Sequence, residues 1–228
     1  MLVFCDFDGT ISIQDATDFI LARFADPEWQ DIEEQWKQGT IGSAQCMRRQ
    51  VALIRATRRE LHAALDDIEI DPSFPAFVGL CRSQGIPLTV VSDGVDYFIH
   101  RILARHRLLP LPVIANQLTI RWHNGYTRYQ LTSCFSEATC EPAAGICKCR
   151  RLGAATGTRV YIGDGRSDFC VANKPELLFA KGNLAEWCER RSIAFIPYQR
   201  FADIVQALKT RIPSIRHHTS ETPTRAFA

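Results

Sequence analysis

The chain has 228 residues, 46% of them hydrophobic and 10% aromatic, with 27 Lys+Arg against 25 Asp+Glu for a formal net charge of +2. These proportions describe a folded globular protein and exclude a disordered or fibrous one. The near-neutral balance offers no phosphate-tracking surface, which argues against nucleic acid as the main partner.

No apolar run approaches the ~20 residues that a bilayer span needs, so no membrane partner is expected. The apolar stretch Leu2–Cys5 has no basic leader and ends at Asp6, unlike a signal peptide, so the expected location is cytoplasmic. Nine cysteines, an odd number, cannot form a fully paired framework within one chain. In a reducing compartment they default to buried apolar residues, metal ligands or reactive thiols.

In chain order, Leu2–Phe7 reads as a short strand buried on both faces, as in parallel sheets. Residues 13–76 then carry four helical patterns and no strand. Asp26-Pro-Glu28 is a helix start with Pro in the first turn, and Thr57-Arg-Arg-Glu60 is a capping box opening a helix with Leu61, Leu65 and Ile68 inward. Ala44, Met47, Val51 and Ile54 share one helical face, and Trp29 and Trp36, seven apart, read as packing. Further apolar strands fall at Pro87–Ser92, Arg159–Gly163, Leu177–Ala180 and Ala194–Ile196, separated by helical patterns near 74–84, 96–105, 147–156, 168–173, 183–191 and 201–212. Between Asn116 and Ala144, Gln117–Trp122 and the turn His123-Asn-Gly125 predict a hairpin, followed by a Cys-bearing loop. The Ser/Thr/Pro-rich end, 213–228, reads as a disordered tail.

Strands alternating with helices predict an α/β fold built on a doubly wound parallel sheet, with a core of 1–12 and 77–212 and a small helical cap of 13–76 inserted after the first strand. Sites in such sheets lie at the carboxyl ends of the strands.

Three strand ends carry polar groups suited to one crevice. Asp6-Phe-Asp-Gly-Thr10 places two carboxylates side by side, where they can bind a hard cation through oxygen, or divide nucleophilic and acid–base work. Taken alone the segment is equally a solvated turn. Val90-Val-Ser-Asp-Gly94 offers a hydroxyl and free backbone N–H groups to a phosphate oxygen, although alone it is more simply a strand-to-helix turn. Tyr161-Ile-Gly-Asp-Gly-Arg-Ser-Asp168 sends Asp164 toward the same crevice, with Asp168 one turn on; its plain reading is a Gly-rich loop capped by Asp168.

Taken together, Asp6-x-Asp-Gly-Thr10, then Ser92, a Lys, and Gly163-Asp-Gly-x-x-Asp168 resemble the four-motif signature of the haloacid dehalogenase (HAD) superfamily of phosphohydrolases. The segment 13–76 resembles its C1-type cap. Asp8, the second acid of the first motif, points to the phosphatase branch, because the dehalogenases lack it. The likeness is nearest to the phosphoserine-phosphatase-like subfamily (IB). Within it, Cys5-Asp-Phe-Asp-Gly-Thr-Ile11, Asp15, Pro27-Glu-Trp29 and Asp93-Gly-x-Asp96-x-Phe98 resemble the methionine-salvage phosphatases acting on 2-hydroxy-3-keto-5-methylthiopentenyl-1-phosphate. The Cys-rich approach to Lys148 also resembles the vertebrate phosphoethanolamine/phosphocholine phosphatase. Phosphoserine phosphatases commonly carry Glu where Asp15 stands and Gly-Gly after the motif Ser, and both departures speak against phosphoserine itself.

The resemblance implies a Mg²⁺-dependent phosphomonoester hydrolase working through an aspartyl-phosphate on a small phosphorylated metabolite. Asp6 would be the nucleophile and Asp8 the general acid and base. Asp6, the Asp8 carbonyl, Asp164 and Asp168 would hold the metal. Ser92, Asp93, Gly94 and Lys148, sixteen residues before Asp164, would hold the phosphoryl group, with Asp15 toward the substrate. A fixed cation at Lys148 would neutralise the phosphoryl oxygens and shield the attacking carboxylate. Two rivals use the same fold: a phosphotransferase passing the group to a sugar-like acceptor, and a non-enzymatic phosphate-binding regulator, which the intact set of acids argues against.

Arg48 and Arg49 lie off the apolar face of their helix and could reach a substrate's polar end, although surface arginines are more often simply solvated. Cys134, Cys140, Cys147 and Cys149 are spaced C-x5-C-x6-C-x-C, not the tight C-x2-C of zinc knuckles. Structural zinc as a second metal, a redox-labile pair and plain packing all fit that spacing.

Overall fold

A computed structural model of the chain describes residues 1–123, 125–137 and 143–219. The strands are β1 (Leu2–Cys5), β2 (Leu88–Val95), β3 (Val113–His123), β4 (Tyr126–Thr132), β5 (Arg159–Gly163), β6 (Leu177–Ala180) and β7 (Ile196–Pro197). They form one seven-stranded sheet in the order β4-β3-β2-β1-β5-β6-β7. All pairs are parallel except the β3–β4 hairpin.

The central strands are apolar over most of their length because both faces are covered. Period-2 alternation sends Val3, Cys5, Val160 and Ile162 into a large core with Phe74, Phe77, Phe98 and Phe201, while Phe4 and Tyr161 face a second core with Leu152, Val171 and Leu184. The expected α/β sheet, doubly wound, is therefore the observed one.

The helices are α1 (Ala16–Phe24), α2 (Trp29–Lys37), α3 (Ser43–Ala52), α4 (Arg58–Asp66), α5 (Phe74–Ser83), α6 (Asp96–Arg105), α7 (Lys148–Gly153), α8 (Gly182–Arg190) and α9 (Phe201–Thr219). Helices α1–α4 form an excursion between β1 and α5, and antiparallel pairing of Ser12 with Ile70 closes its base. The expected capping box opens α4: the Glu60 N–H donates to Thr57 Oγ1 at 3.2 Å and the Thr57 N–H to Glu60 Oε2 at 2.8 Å.

Three features differ from the sequence reading. Strand β2 runs on through Asp93 and Gly94 to Val95, with a register break between Val91 and Val95 that turns this stretch toward the crevice. Strand β3 begins at Val113 and pairs with β2, so the hairpin extends the main sheet; Asn124 of its turn lies outside the described residues. Helix α9 continues past Pro213 to Thr219, where 213–228 was expected to be structureless. A proline removes one backbone donor, and a helix can continue across that single missing bond. Residues 220–228 lie outside the described residues.

Candidate active site

The registers of β1 with β2 and of β1 with β5 bring three loops together at the carboxyl edge of the sheet. Asp6 leaves β1 with its N–H bonded to the Ile162 carbonyl at 2.9 Å, and its Oδ1 accepts from the Phe7 N–H at 2.8 Å. Its Oδ2 lies 2.7 Å from Lys148 Nζ and accepts from Ser167 Oγ at 3.3 Å. Asp8 is pinned through Oδ1 by the Ala16 N–H at the start of α1, 2.8 Å away, and its Oδ2 lies 3.5 Å from Ser92 Oγ. Between them, Gly9 has φ +70°, and a Cβ there would sit 2.4 Å from Asp164 Oδ2. Only glycine suits that conformation and that approach.

From β5, Asp164 accepts the Thr10 hydroxyl on Oδ1 at 2.5 Å. Asp168, fully buried in the 3-10 turn Arg166–Val171, accepts from Lys148 at 2.7 Å and Tyr161 Oη at 2.5 Å on Oδ1, and from the Asp164 and Gly165 N–H groups at 3.0 and 3.2 Å on Oδ2. Four donors occupy its oxygens, so Asp168 holds Lys148 and the Asp164 loop in place.

Lys148, the first residue of α7, is 1% exposed. Burial alone would push its ammonium down, but the carboxylates of Asp168 and Asp6 outweigh that and hold it well above its usual range. Burial, then the neighbouring Asp168, pushes the Asp6 carboxyl up. The same two causes raise Asp164 to about 6. Burial, then Asp15, raises Asp8. Among the described residues, the one group of three or more acids, histidines or cysteines that converges is Asp6, Asp164 and Asp168, with ligand atoms within 4.8 Å of one another. Three carboxylates against one lysine leave an excess of negative charge, and a hard cation bound through oxygen fits it.

Ser92 and Gly94 also line the crevice. Ser92 Oγ accepts the Gly94 N–H at 3.0 Å, and a Cβ on Gly94 would lie 2.3 Å from Asp8 Oδ2. Asp93 borders the crevice, but its carboxylate is engaged by Ser43 Oγ, the Ile146 N–H and Asn116 Nδ2. Asp15 caps α1 by accepting the Asp18 N–H at 2.9 Å and lines the cavity.

Arg48 and Arg49 do not join this site. Arg48 points to solvent and Arg49 donates to Gln35 Oε1 at 2.9 Å, while Cys46, Met47 and Gln50 of the same helix line the wall. The helical face toward the crevice is thus one step off the face chosen from apolar spacing. Trp36 lines the crevice as well, with the Arg166 guanidinium 5.1 Å from its ring centroid.

Of the cysteines, Cys147 and Cys149 have sulfurs 3.3 Å apart, and the exposed Cys134 donates to Gln117 Oε1 at 3.2 Å. Cys140 lies outside the described residues. Sequence reasoning missed Thr10, Asp18, Glu33, Trp36, Gln50, Arg166 and Ser167 as wall or support residues. For Thr10 and Ser167, position within the motifs was the available signal; the others come from helices whose approach to the crevice has no local signature.

The haloacid dehalogenase-like hydrolase model matches residues 3–173. The chain is 29% identical over 221 residues to a 2-hydroxy-3-keto-5-methylthiopentenyl-1-phosphate phosphatase of Brevibacillus brevis, covering 92% of this chain and 95% of that protein. It is 28% identical over 222 residues to Pdp3-interacting factor 1 of Schizosaccharomyces pombe, with 92% and 95% covered. Among solved structures, a phosphoserine phosphatase holding a phospho-aspartyl intermediate analogue superposes with a TM-score of 0.66 at 21% identity, covering 90% of this chain and 97% of that one, a likeness of fold. With three motif-bearing strand ends converging on Lys148, the chain belongs to the haloacid dehalogenase-like hydrolases and is a phosphatase of that family.

Proposed function

We propose that the protein is a Mg²⁺-dependent phosphomonoester hydrolase acting on a small phosphorylated metabolite through an aspartyl-phosphate. The observation that carries the reading is the Lys148 ammonium 2.7 Å from Asp6 Oδ2, a cation placed where an anionic ester must meet an anionic nucleophile. Asp6 attacks phosphorus, forming the Asp6 O–P bond as the bond to the leaving oxygen breaks. Asp8, held up by burial and Asp15, is suited to carry the proton that this oxygen takes. Asp8 then accepts a proton from the water that attacks phosphorus, which frees Asp6 and inorganic phosphate. Lys148, Ser92 and nearby backbone N–H groups steady the phosphoryl oxygens.

Asp6, the Asp8 carbonyl and Asp164 would hold Mg²⁺, with Asp168 supporting from behind. When bound, the ion supplies charge neutralisation for the phosphoryl group. We read 1–12 and 77–212 as the core and 13–76 as a cap, since α1, α2 and α3 all give side chains to the crevice wall. A cavity of about 220 Å³ beneath them suits a small leaving group. No described helix is long and apolar enough to cross a membrane.

The test is phosphate release from a panel of phosphorylated metabolites, with and without Mg²⁺, by the native protein and Asp6→Asn. The panel includes the methylthiopentenyl phosphate named for the bacterial relatives. Mg²⁺-dependent release that Asp6→Asn abolishes is expected; release that survives the substitution rules out Asp6 as nucleophile.

A further inference from the structure

Lys148 is flanked in sequence by two thiols that have no place in the proposed hydrolysis. Cys147, the residue before α7, is buried, and Cys149 is partly exposed in the first turn of that helix. Their sulfurs lie 3.3 Å apart, and both are free. Cys170, in the turn that carries Ser167 and Asp168, also neighbours Cys149.

One side of the pair is pinned by backbone. The Cys147 N–H donates to the Phe135 carbonyl at 3.0 Å, and its own carbonyl accepts the Arg151 N–H at 3.2 Å. The Arg151 guanidinium lies 4.9 Å from the Phe135 ring centroid, which ties the same strut together. A disulfide needs its sulfurs about 2.05 Å apart, so bonding this pair draws them together by roughly 1 Å. The small ring so formed contains the whole backbone of Lys148. With Cys147 held, the displacement falls on Cys149 and Lys148. Lys148 has no slack to absorb it, because its ammonium is buried between Asp6 and Asp168 at 2.7 Å from each.

We propose that Cys147 and Cys149 are a site of reversible oxidation by hydrogen peroxide, and that their disulfide draws Lys148 away from Asp6. The thiolate of the more exposed Cys149 attacks one peroxide oxygen; its S–O bond forms as the O–O bond breaks, and one water leaves. The Cys147 thiol then attacks the sulfenic sulfur, the S–S bond forms as the S–O bond breaks, and a second water carries off the proton. The two thiols give up two electrons, and the peroxide is reduced to two waters. Burial, then the hydrogen bond with Cys147, holds the Cys149 thiol up, so little thiolate is present and the site responds to sustained rather than trace peroxide. A strained disulfide in so small a ring is reopened by excess thiol. Only the kinetic consequence rests on the phosphatase reading above.

The experiment treats the reduced full chain with hydrogen peroxide and maps the bond by mass spectrometry. It then compares kcat on an aryl phosphate in Mg²⁺, and inorganic phosphate binding by calorimetry, in the two forms. A Cys147–Cys149 bond is expected, with kcat lowered at least about tenfold, as a displacement near 1 Å allows. Phosphate binding should weaken, and dithiothreitol should restore both. Cys149→Ser should match the native protein before peroxide and resist it afterwards, whereas Cys134→Ser should stay as sensitive as native. A bond mapped to Cys134, Cys140 or Cys170 instead, or no bond at all, overturns the inference. So does a fully bonded pair with unchanged phosphate binding, or a Cys149→Ser variant that peroxide inactivates like native protein. Absence of turnover by the reduced protein sinks the hydrolase reading alone, because the mapped bond and the phosphate titration still decide this one.

Discussion

Ser43, at the start of α3, donates its hydroxyl to Asp93 Oδ2 at 2.5 Å and so ties the helical excursion to the strand that carries Ser92. The other oxygen, Asp93 Oδ1, accepts the Ile146 N–H at 3.0 Å and Asn116 Nδ2 at 3.3 Å. One carboxylate therefore joins three segments: α3, which walls the crevice, β3, and the stretch leading into Lys148. The Ala44 N–H bonded to the Ala143 carbonyl at 3.1 Å reinforces the junction. Ser43→Ala removes one partner of three and should cost about 1 kcal/mol. Its expected kinetic signature is a rise in KM larger than the fall in kcat, because α3 lines the crevice wall and supplies none of the groups that the proposed mechanism sets on phosphorus. Asp93→Asn disturbs all three segments, Ile146 being two residues before Lys148, and should lower kcat as well. Equal kinetics for Ser43→Ala and native protein would show that the junction does not set the wall.

Lys148 lies between Asp6 and Asp168 at 2.7 Å from each, and none of the three is accessible. Removing one partner of such a group strands the others without compensation, which costs about 3–5 kcal/mol. Lys148→Met is expected to show that loss in chemical denaturation and a kcat lowered by about 10²–10³, the scale of a lost electrostatic stabiliser. Mg²⁺ should recover part of the stability, since a bound cation offsets the same carboxylates. A variant as stable as the native protein would show that the acids are protonated and carry no charge to balance.

At the opposite end of β5, Arg159 forks onto Glu176 just before β6; its Nε donates to Oε2 at 3.0 Å and its N–H to the same oxygen at 2.7 Å. The guanidinium hydrogen bond, opposed slightly by burial, holds the Glu176 carboxyl down at about 2 against an ordinary 4.5. A lowered folded value means that the stabilisation is complete above about pH 5 and disappears as pH falls toward 2. The pair is largely in water, so Glu176→Gln should lower the unfolding midpoint by only about 1–2 °C at pH 7. The gap between variant and native should close by pH 2 and narrow in high salt; a gap that persists at pH 2 would mean the contribution is packing rather than charge.

The division between what sequence reveals here and what it does not follows from distance along the chain. Asp6, Asp8 and Asp164 follow directly on the apolar strands β1 and β5, Asp168 lies in the turn just after them, and Ser92 closes the apolar run of β2; a run of apolar residues followed by polar ones announces both the strand and the exit toward the site. The tether from Asp93 to Ser43 spans fifty positions and has no local pattern. Asp18, Glu33 and Gln50 reach the crevice only because α1, α2 and α3 fold back over it, and their polarity in sequence is that of any solvated helix face. Arg48 and Arg49 show the converse error, since helical spacing identifies a face but not which neighbour it meets. The start of β3 at Val113 was hidden because Pro110 and Pro112 resemble a loop, although the residues after them pair in register with β2.

Gly94 tests how closely the crevice is built. A Cβ on this residue would lie 2.3 Å from Asp8 Oδ2 and 3.1 Å from Ser92 Oγ, closer than packed atoms tolerate. Both contacts are the far ends of side chains, so Gly94→Ala should be accommodated by moving Asp8 rather than by unfolding β2. Asp8 would then be displaced from the position that the proposed acid role requires, and displacements near 1 Å are enough to cost about 10²-fold. The expected outcome is a kcat reduced at least tenfold, with a midpoint of unfolding within about 2 °C of native. If, as proposed, phosphoryl transfer goes to Asp6 with a proton for the leaving oxygen, an ester with an acidic phenol as leaving group should recover most of the first step. Failure of such an ester to recover would place the fault in Ser92 and phosphate binding instead of Asp8.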